Sequence, residues 1–563
     1  MRGAVPVAGM HIAPKGAAAV PDSRGLNFFH ADPWGAALAG LYLPADLYAH
    51  LEPHFTALGA LVGGALDEEA HAADHHQPVL LHRDRRGEED ERIDYHPAYR
   101  AMEKRAFGDY GFAAMSHRGG VLGWAEPLPP AAKYALTYYF CHSEFGLMCP
   151  VNMTDSLSRT LRKFGSPELV ARYLPALTST DMDALSQGAM FMTEQGAGSD
   201  IANTAVVAEP AEAGTWKLSG DKWFCSNADA EVALVLARRG DAPGLRGVSL
   251  FLLPRHLPDG TKNAYRIIRL KDKLGTRSMA SGEVKLEGAT AWLIGEPEAG
   301  FKQMADMVNS SRLSNGVRAA GMMRRACAEA LFIASRRQAF GKRLVEMPLM
   351  RRQLVKLIMP AEQARSMMFQ TAEAMRRSDA GDGNARKLLR ILTPLIKFRA
   401  CRDARRVTGD AMEVRGGCGY IEEFPDARLL RDSHLGSIWE GTSNIVALDV
   451  LRAAEREDAL APLLAHASAL LGNDAPQFQA VLARVQGLME QALGNPALAR
   501  TAATALYNIT SAAMLRWEGA RLSCPARSAL AELVLRHRLL PKDPLAAGAD
   551  AALEDAVLAR AAA

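Results

Sequence analysis

Apolar positions change their period twice along this 563-residue chain. From about residue 45 to 185 they recur at helical spacing, as in "DLYAHLEPHFTALGALVGG". From about 190 to 295 the spacing becomes two. There "EVALVLA", "GVSLFLLP", "YRIIRL" and "GEVKLEG" read as strands separated by turn residues. In the last of these, Val284 and Leu286 alternate with Glu283, Lys285 and Glu287, as a half-buried strand requires. From about 300 to 453 helical spacing returns. "FKQMADMVNSSRLSNGVRAAGMMRRACAEALFIASRRQAF" exceeds an ordinary helix and predicts a long bundle helix whose apolar stripe is covered by neighbours. Beyond 453 more helices are expected. Phe478, Val481, Leu482, Val485, Leu488 and Met489 share one face after the start signals Asp474 and Pro476.

This pattern predicts an α+β chain. Its parts are a helical region over 46–188, an antiparallel β domain over 189–298, a helical bundle over 299–453 and a helical extension over 454–563. Residues 1–45 are expected to form a partly mobile N-terminal extension, with the first 25 or so a loose tail. Pro6, Gly9, His11 and Lys15 interrupt any unbroken apolar run of the kind a signal peptide needs. The charged stretch "HRDRRGEEDERIDYHP", residues 82–97, reads as a solvated loop.

Composition narrows the function classes. A net charge of +3 creates no global field pointing to a nucleic acid or a membrane. No stretch reaches the roughly 18 apolar residues of a membrane span. Seven cysteines without a CxxC pair suggest neither zinc nor a disulfide framework, and their odd number suits the cytoplasm. His71, His75 and His76 lie close in sequence, but spacing gives them no carboxylate or cysteine partner. They read as a polar helix face, and no metal site is predicted.

Five short segments carry candidate chemistry. "MTEQGAGSD" offers backbone N–H groups at Gly196 and Gly198 with hydroxyls at Thr193 and Ser199. It can bind an anionic or heterocyclic ligand, or be a purely structural turn. Ile201 stands at the third glycine position of a GxGxxG fingerprint, which argues against a dinucleotide fold. "KWFCSN" sets an aromatic beside a hydroxyl, either a wall for a planar ring or a core strand end. "RRQAFGKRL" ends a helix with guanidiniums suited to phosphate. "MEVRGGCGY" permits close backbone approach at Gly416 and Gly417. In "SIWEGTSN" a carboxylate, Glu440, stands between Trp439 and Gly441.

In that order and spacing the set resembles the acyl-CoA dehydrogenase superfamily of flavoproteins, over about residues 95–453. The phrases "YHPAYRAM", "CPVNMT", "RLKDKLGTRSMAS", "EMPLMRRQL", "AMEVRGGCGYIEE" and "SIWEGTSNIVALDVLR" carry the likeness. Within the superfamily the chain is most similar to the alkylation-response AidB branch, whose extra helical domain the region beyond 453 resembles. The resemblance implies an N-terminal helical domain, a central antiparallel β-barrel and a C-terminal four-helix bundle. It further implies FAD between barrel and bundle, in a homotetramer built as a dimer of dimers. Met192, Thr193, Gly198 and Ser199 would contact the flavin and its pyrophosphate. Phe224 and Ser226 would supply a ring wall and a hydroxyl. Arg337, Phe340, Gly416 and Gly417 would reach the FAD of a neighbouring subunit. Glu413 stands where many members have glutamine. Trp439, Thr442 and Asn444 would complete the cofactor shell.

Glu440 matches the catalytic base of the family. A C–H beside a thioester is a weak acid, so its removal needs a positioned carboxylate. Some members carry the base just before a bundle arginine; here that position is Ser311, before Arg312. The implied function is an FAD-dependent acyl-CoA dehydrogenase-like oxidoreductase acting on an acyl-CoA or related thioester, with an electron-transfer flavoprotein as acceptor. The alternative is an AidB-like flavoprotein that binds DNA and protects it from alkylation. Residues 451–563 hold 11 Lys+Arg and 11 Asp+Glu. A DNA face could still form from Arg516, Arg521 and Arg527, or from Arg536, Arg538 and Lys542, or these could be solvated helix charges.

Overall fold

The computed structural model describes residues 20–543, 545 and 550–562. The helices α1 (Gly35–Tyr42), α2 (Ala45–Val62) and α3 (Ala65–His75) come first. The hairpin β1 (Val79–Arg83) and β2 (Glu89–Asp94) follows, then α4 (Pro97–Glu103), α5 (Pro130–Phe140), α6 (Met148–Phe164) and α7 (Pro167–Leu177). The first 19 residues of the expected tail lie outside the described residues. From residue 20 on, the chain packs rather than trails. Phe28, Phe29 and Trp34 are buried, and the Ser23 hydroxyl donates to Glu329 on a distant helix at 2.6 Å.

Residues 82–97 differ from the solvated loop that their charge suggests. They form most of the β1–β2 hairpin, in which Leu80 pairs with Ile93. The Asp84 carboxylate accepts from the N–H groups of Arg86 and Glu88 and so shapes the turn. Only Ile93 and the following Tyr95 are buried here, so the charges mask the alternation.

The barrel comprises β3 (Gly188–Phe191), β4 (Val207–Pro210), β5 (Thr215–Ser226), β6 (Val232–Arg239), β7 (Val248–Pro254), β8 (Tyr265–Leu270) and β9 (Ser281–Leu293). The strands run in the order β3-β6-β4-β5-β9-β7, and β7 returns to pair with β6, which closes the ring. Neighbours are antiparallel except at β6, which takes β3 and β4 in parallel. The long strand β5 escapes the period-two pattern because its register with β9 shifts between Leu218 and Ser219 and again between Lys222 and Cys225.

After the barrel comes α8 (Gly300–Arg336), unbroken over 37 residues as its apolar pattern predicts. A two-residue ladder, β10 (Gln338–Ala339) with β11 (Lys342–Arg343), leads into α9 (Pro348–Asp379) and α10 (Gly383–Arg415). The helices α11 (Asp426–Leu435) and α12 (Ser443–Arg456) finish the bundle. The extension adds α13 (Leu460–Leu471), α14 (Pro476–Gly494), α15 (Ala499–Arg521), α16 (Pro525–Val534) and α17 (Ala551–Ala561). On α14 the predicted face is buried at Phe478, Val481, Leu482, Val485 and Met489, with Leu488 half-buried.

The extension is joined to the bundle by buried charge. Arg527 of α16 is fully buried and bonds Glu518 of α15 and Glu362 of α9. Arg365 of α9 takes the other oxygen of Glu362 and reaches Asp32 of the N-terminal segment at 2.5 Å. Burial alone would raise Asp32; the guanidiniums of Arg365 and Arg324 outweigh it and hold that carboxyl well below the usual range. Arg527 therefore belongs to the core, not to a nucleic-acid face. Arg527→Leu leaves two buried carboxylates short of a partner and is expected to destabilise the chain by about 3–5 kcal/mol. An unchanged unfolding midpoint in a urea titration would contradict this role.

Candidate active site

Glu440 lies in the turn between α11 and α12, and α8 grips that turn at successive levels. The Ser311 hydroxyl donates to Glu440 Oε1 at 2.9 Å, and the Asn315 amide donates to Oε2. Arg312 Nε donates to the Glu440 carbonyl oxygen at 3.0 Å. The Arg312 guanidinium is oriented by Asp449 of α12 at 2.8 Å, which also receives Arg390 of α10 at 2.9 Å. Lys397 donates to the Gly441 carbonyl. These contacts hold Glu440 at φ 49°, a left-handed conformation that a non-glycine residue seldom adopts. Ser311, the alternative position for a base, is thus the hydroxyl partner of the base candidate.

Trp439 stacks on Phe145 with ring centroids 5.7 Å apart. The buried Arg318 guanidinium lies against both rings and donates to Asn315 Oδ1 at 2.9 Å. A chain of contacts therefore runs from the indole through Arg318 and Asn315 to the Glu440 carboxylate. Trp439 Nε1 is buried with no partner among the described residues.

The barrel presents a second surface. Trp223 N donates to Thr193 O at 2.8 Å, so "MTEQGAGSD" and "KWFCSN" lie side by side. Beneath them the buried Lys222 ammonium bonds Glu194 at 2.6 Å and the Met192 carbonyl at 3.3 Å. Glu194 also accepts from Ala205 N at 2.6 Å. This pair was invisible as a pair in the sequence, although both residues sit inside the quoted motifs. Above it Phe224 is 54% exposed, which overturns the core reading of that aromatic. Ser226 Oγ lies 3.2 Å from Ser281 Oγ. Met192 and Thr193 are half-buried, Ser199 is exposed, and the space around Gly196 and Gly198 is open. A bare aromatic, a hydroxyl and an open glycine turn fit a planar ring with an attached phosphate chain.

Arg337 and Gly416 form a third group. Arg337 Nη1 donates to Arg415 O at 3.1 Å, and a Cβ on Gly416 would meet that nitrogen at 3.2 Å. Gly417 has open space around it. Phe340 and Gly341 form the tip between β10 and β11, both at positive φ, and Phe340 is 97% exposed. Glu413 is exposed and accepts from Gln353 at 3.3 Å. Thr442 is exposed just ahead of α12, and Asn444 accepts from Arg500 at 3.4 Å.

The remaining candidates separate. Arg516 bonds Asp474 at 2.7 Å, Arg521 lies over Trp517, and Arg536 bonds Glu532 at 2.7 Å. His75 and His76 each direct Nδ1 to a carbonyl of their own helix, and among the described residues no group of three metal-ligating side chains forms. Among those residues no helix is long and apolar enough to cross a membrane.

The Glu440 turn has a local test. Gly441 has φ 107°, and an added Cβ would meet Val446 at 3.2 Å. Gly441→Ala is expected to cost about 1–3 kcal/mol in denaturant titration. Gly417→Ala, with free space and no positive φ, is expected to cost under about 0.5 kcal/mol. Equal losses at the two positions would show that the turn is not strained.

Comparison with known proteins agrees with this architecture. Residues 298–455 match the acyl-CoA dehydrogenase C-terminal domain and residues 189–289 its middle domain. Residues 19–184 match the N-terminal domain of the adaptive response protein AidB. The chain is 34% identical over 421 residues to the putative acyl-CoA dehydrogenase AidB of Escherichia coli, covering 73% of this chain and 75% of that one. It is 31% identical over 443 residues to acyl-CoA dehydrogenase family member 11 of Caenorhabditis elegans, covering 77% and 71%. The crystal structure of Caenorhabditis elegans ACDH-11 in complex with C11-CoA superposes with a TM-score of 0.87 at 27% identity, covering 94% of both chains. With three domain matches in sequence order and a relative of this identity and coverage, the chain belongs to the acyl-CoA dehydrogenase family, in the branch that carries the AidB N-terminal domain.

Proposed function

We propose that this protein is an FAD-dependent oxidoreductase that removes hydrogen from the α and β carbons of an acyl thioester. The observation that carries the reading is the Glu440 carboxylate, held by Ser311 and Asn315 beside Trp439 in a member of this family. Bound FAD supplies the acceptor for the β-hydrogen as hydride. Phe224 would face the flavin ring and Ser226 its edge. Met192, Thr193, Gly198 and Ser199 would line its phosphate side.

The rest of the chemistry rests on this chain. Glu440 takes the α-proton. Two hydrogen bonds fix the direction of its carboxylate, so little reorganisation is needed when the proton moves. Trp439 and Phe145 form an apolar wall that excludes water from the reacting carbon. Arg312 acts as a positioning residue through the Glu440 carbonyl.

Association of subunits completes the proposal. Phe340, Tyr420 and Ile438 are large apolar side chains exposed on the bundle. They support a homotetramer in which Arg337, Phe340, Gly416 and Gly417 meet the cofactor of a second subunit. An electron-transfer flavoprotein is the proposed acceptor.

Glu440→Gln is expected to keep bound flavin and to slow its anaerobic bleaching by an acyl-CoA about 100- to 10,000-fold. If no acyl-CoA of a chain-length series bleaches the wild-type flavin, or if the variant reacts like wild type, the dehydrogenase reading fails.

A second reading has its own support. Arg402, Arg405 and Arg406 of α10, Arg352 and Lys356 of α9, Arg500, Arg538 and Lys542 have no carboxylate within salt-bridge distance among the described residues. Most other arginines of the chain do have one. They influence one another. Burial and then Arg500, Arg399 and Arg405 disfavour the charge on Arg402. Burial and then Arg538 do so for Lys542. A belt of unpaired cations supports binding of a polyanion such as DNA. Binding measured by gel shift is expected to weaken as salt rises, and Arg405→Glu with Arg406→Glu to lower the salt slope by about one unit per lost phosphate contact. Salt-independent binding, or none at low salt, would remove this reading.

A further inference from the structure

The segment "RLKDKLGTRSMAS", residues 269–281, joins β8 to β9. It is pinned from two sides. Thr276 N donates to Asp432 of α11 at 2.6 Å, and the Ser278 hydroxyl donates to Glu144, between α5 and α6, at 3.0 Å. Thr276 has φ 51°, and a Cβ on Gly275 would meet the Arg431 backbone at 2.6 Å. A strained residue and so close a backbone contact fix the course of the segment.

Lys273 in this segment is half-buried. Its ammonium donates to the Met279 carbonyl at 2.7 Å and to the Ser281 hydroxyl at 3.3 Å. Among the described residues no carboxylate lies within salt-bridge distance of it. Cys149 of α6, Asp432 and Glu144 face it from further away. Burial raises all three, the Cys149 thiol to about 11 and the Asp432 carboxyl to about 7, so the counter-charge they offer is partial. Burial also draws Lys273 down to about 8, which leaves the charged form in the majority at pH 7.

A chain of hydroxyls starts at this ammonium. Ser281 and Ser226 are cross-strand partners at the ends of β9 and β5, with their Oγ atoms 3.2 Å apart. Ser281 is buried, and Ser226 is half-buried on the barrel surface that carries the bare Phe224. Proton counting gives the chain a direction. An ammonium has three donors and no acceptor, so Ser281 Oγ accepts from Lys273. A hydroxyl has one hydrogen, and Ser226 is the other partner of Ser281 Oγ among the described residues. Ser281 therefore donates to Ser226. The Ser226 hydrogen is left to point outward, where none of the described residues accepts it.

We propose that Lys273 is a positioning residue for the flavin: through Ser281 it holds the Ser226 hydroxyl as a donor to the ring edge, and its charge favours the reduced cofactor. This rests on the place given to Ser226 in the dehydrogenase reading above. Hydride uptake brings two electrons and one hydrogen nucleus, so the acceptor gains one negative charge. Two aligned hydroxyls with an ammonium behind them meet that charge without reorganising. Lys273 keeps its proton and forms no bond to the cofactor.

The test reads the reduction potential of FAD on the full-length protein at pH 7, by equilibration with a reference dye and without any thioester. Lys273→Met is expected to weaken reduction about tenfold, a fall of about 30 mV for a two-electron couple. Lys273→Arg keeps the charge and should fall by less. Ser281→Ala keeps the charge and cuts the relay, so it too should lower the potential, by less than Lys273→Met. An unchanged potential in Lys273→Met, or equal falls in the methionine and arginine variants, would overturn the role. If Lys273→Met does not fold, Ser281→Ala decides, and an unchanged potential there overturns the relay. If the potentials move as expected while no acyl-CoA bleaches the flavin, the dehydrogenase reading falls and the relay stands. If the wild-type chain takes up no FAD, both fall.

Discussion

The direction of one carboxylate depends on one helix. The α8 helix runs unbroken for 37 residues and presents Ser311, Arg312, Asn315 and Arg318 on one side. Spaced by three or four residues, they fall on a common face. Ser311 and Asn315 hold the Glu440 carboxylate, Arg312 holds its backbone and Arg318 supports both Asn315 and the Trp439 ring. The strained backbone at Glu440 persists because these contacts over-determine it. Around that grip the rest of the bundle acts as support. The α10 helix brings Lys397 and Arg390, and α12 brings Asp449.

Much of this was legible in the sequence where side chains follow one period. The long helix, four barrel strands and the buried face of α14 came directly from apolar spacing. The hairpin at 79–94 was not, because charged residues occupy nearly all of its outward positions and only Ile93 marks its inner face. The strand β5 was hidden by two register shifts that move its buried residues to Leu218, Lys222 and Cys225. Pairing was the other blind spot. Lys222 and Glu194 lie 28 residues apart, and Arg312 and Asp449 lie 137 apart; only the folded chain brings them together. Among the basic C-terminal candidates a count of charges likewise cannot tell the core residue Arg527 from Arg538, which has no carboxylate partner among the described residues.

Polar groups without partners mark several places among the described residues. Trp439 Nε1 next to the base, and Tyr134 Oη on α5 and Asn152 Nδ2 on α6, are buried without one there. Arg402, Arg405 and Arg406 of α10 lack a carboxylate partner among those residues, and burial with Arg500, Arg399 and Arg405 disfavours the charge on Arg402.

The ion network at Arg527 sets a limit on how the C-terminal helices can be treated. Arg527 and Glu518 come from the extension, Glu362 and Arg365 from the bundle, and Asp32 from the segment ahead of the first helix. Two of these pairs cross between parts, Arg527 with Glu362 and Arg365 with Asp32. The extension is therefore not a cassette that can be cut away to leave a working remainder. A gene lacking it would encode a bundle with exposed apolar surface and stranded carboxylates.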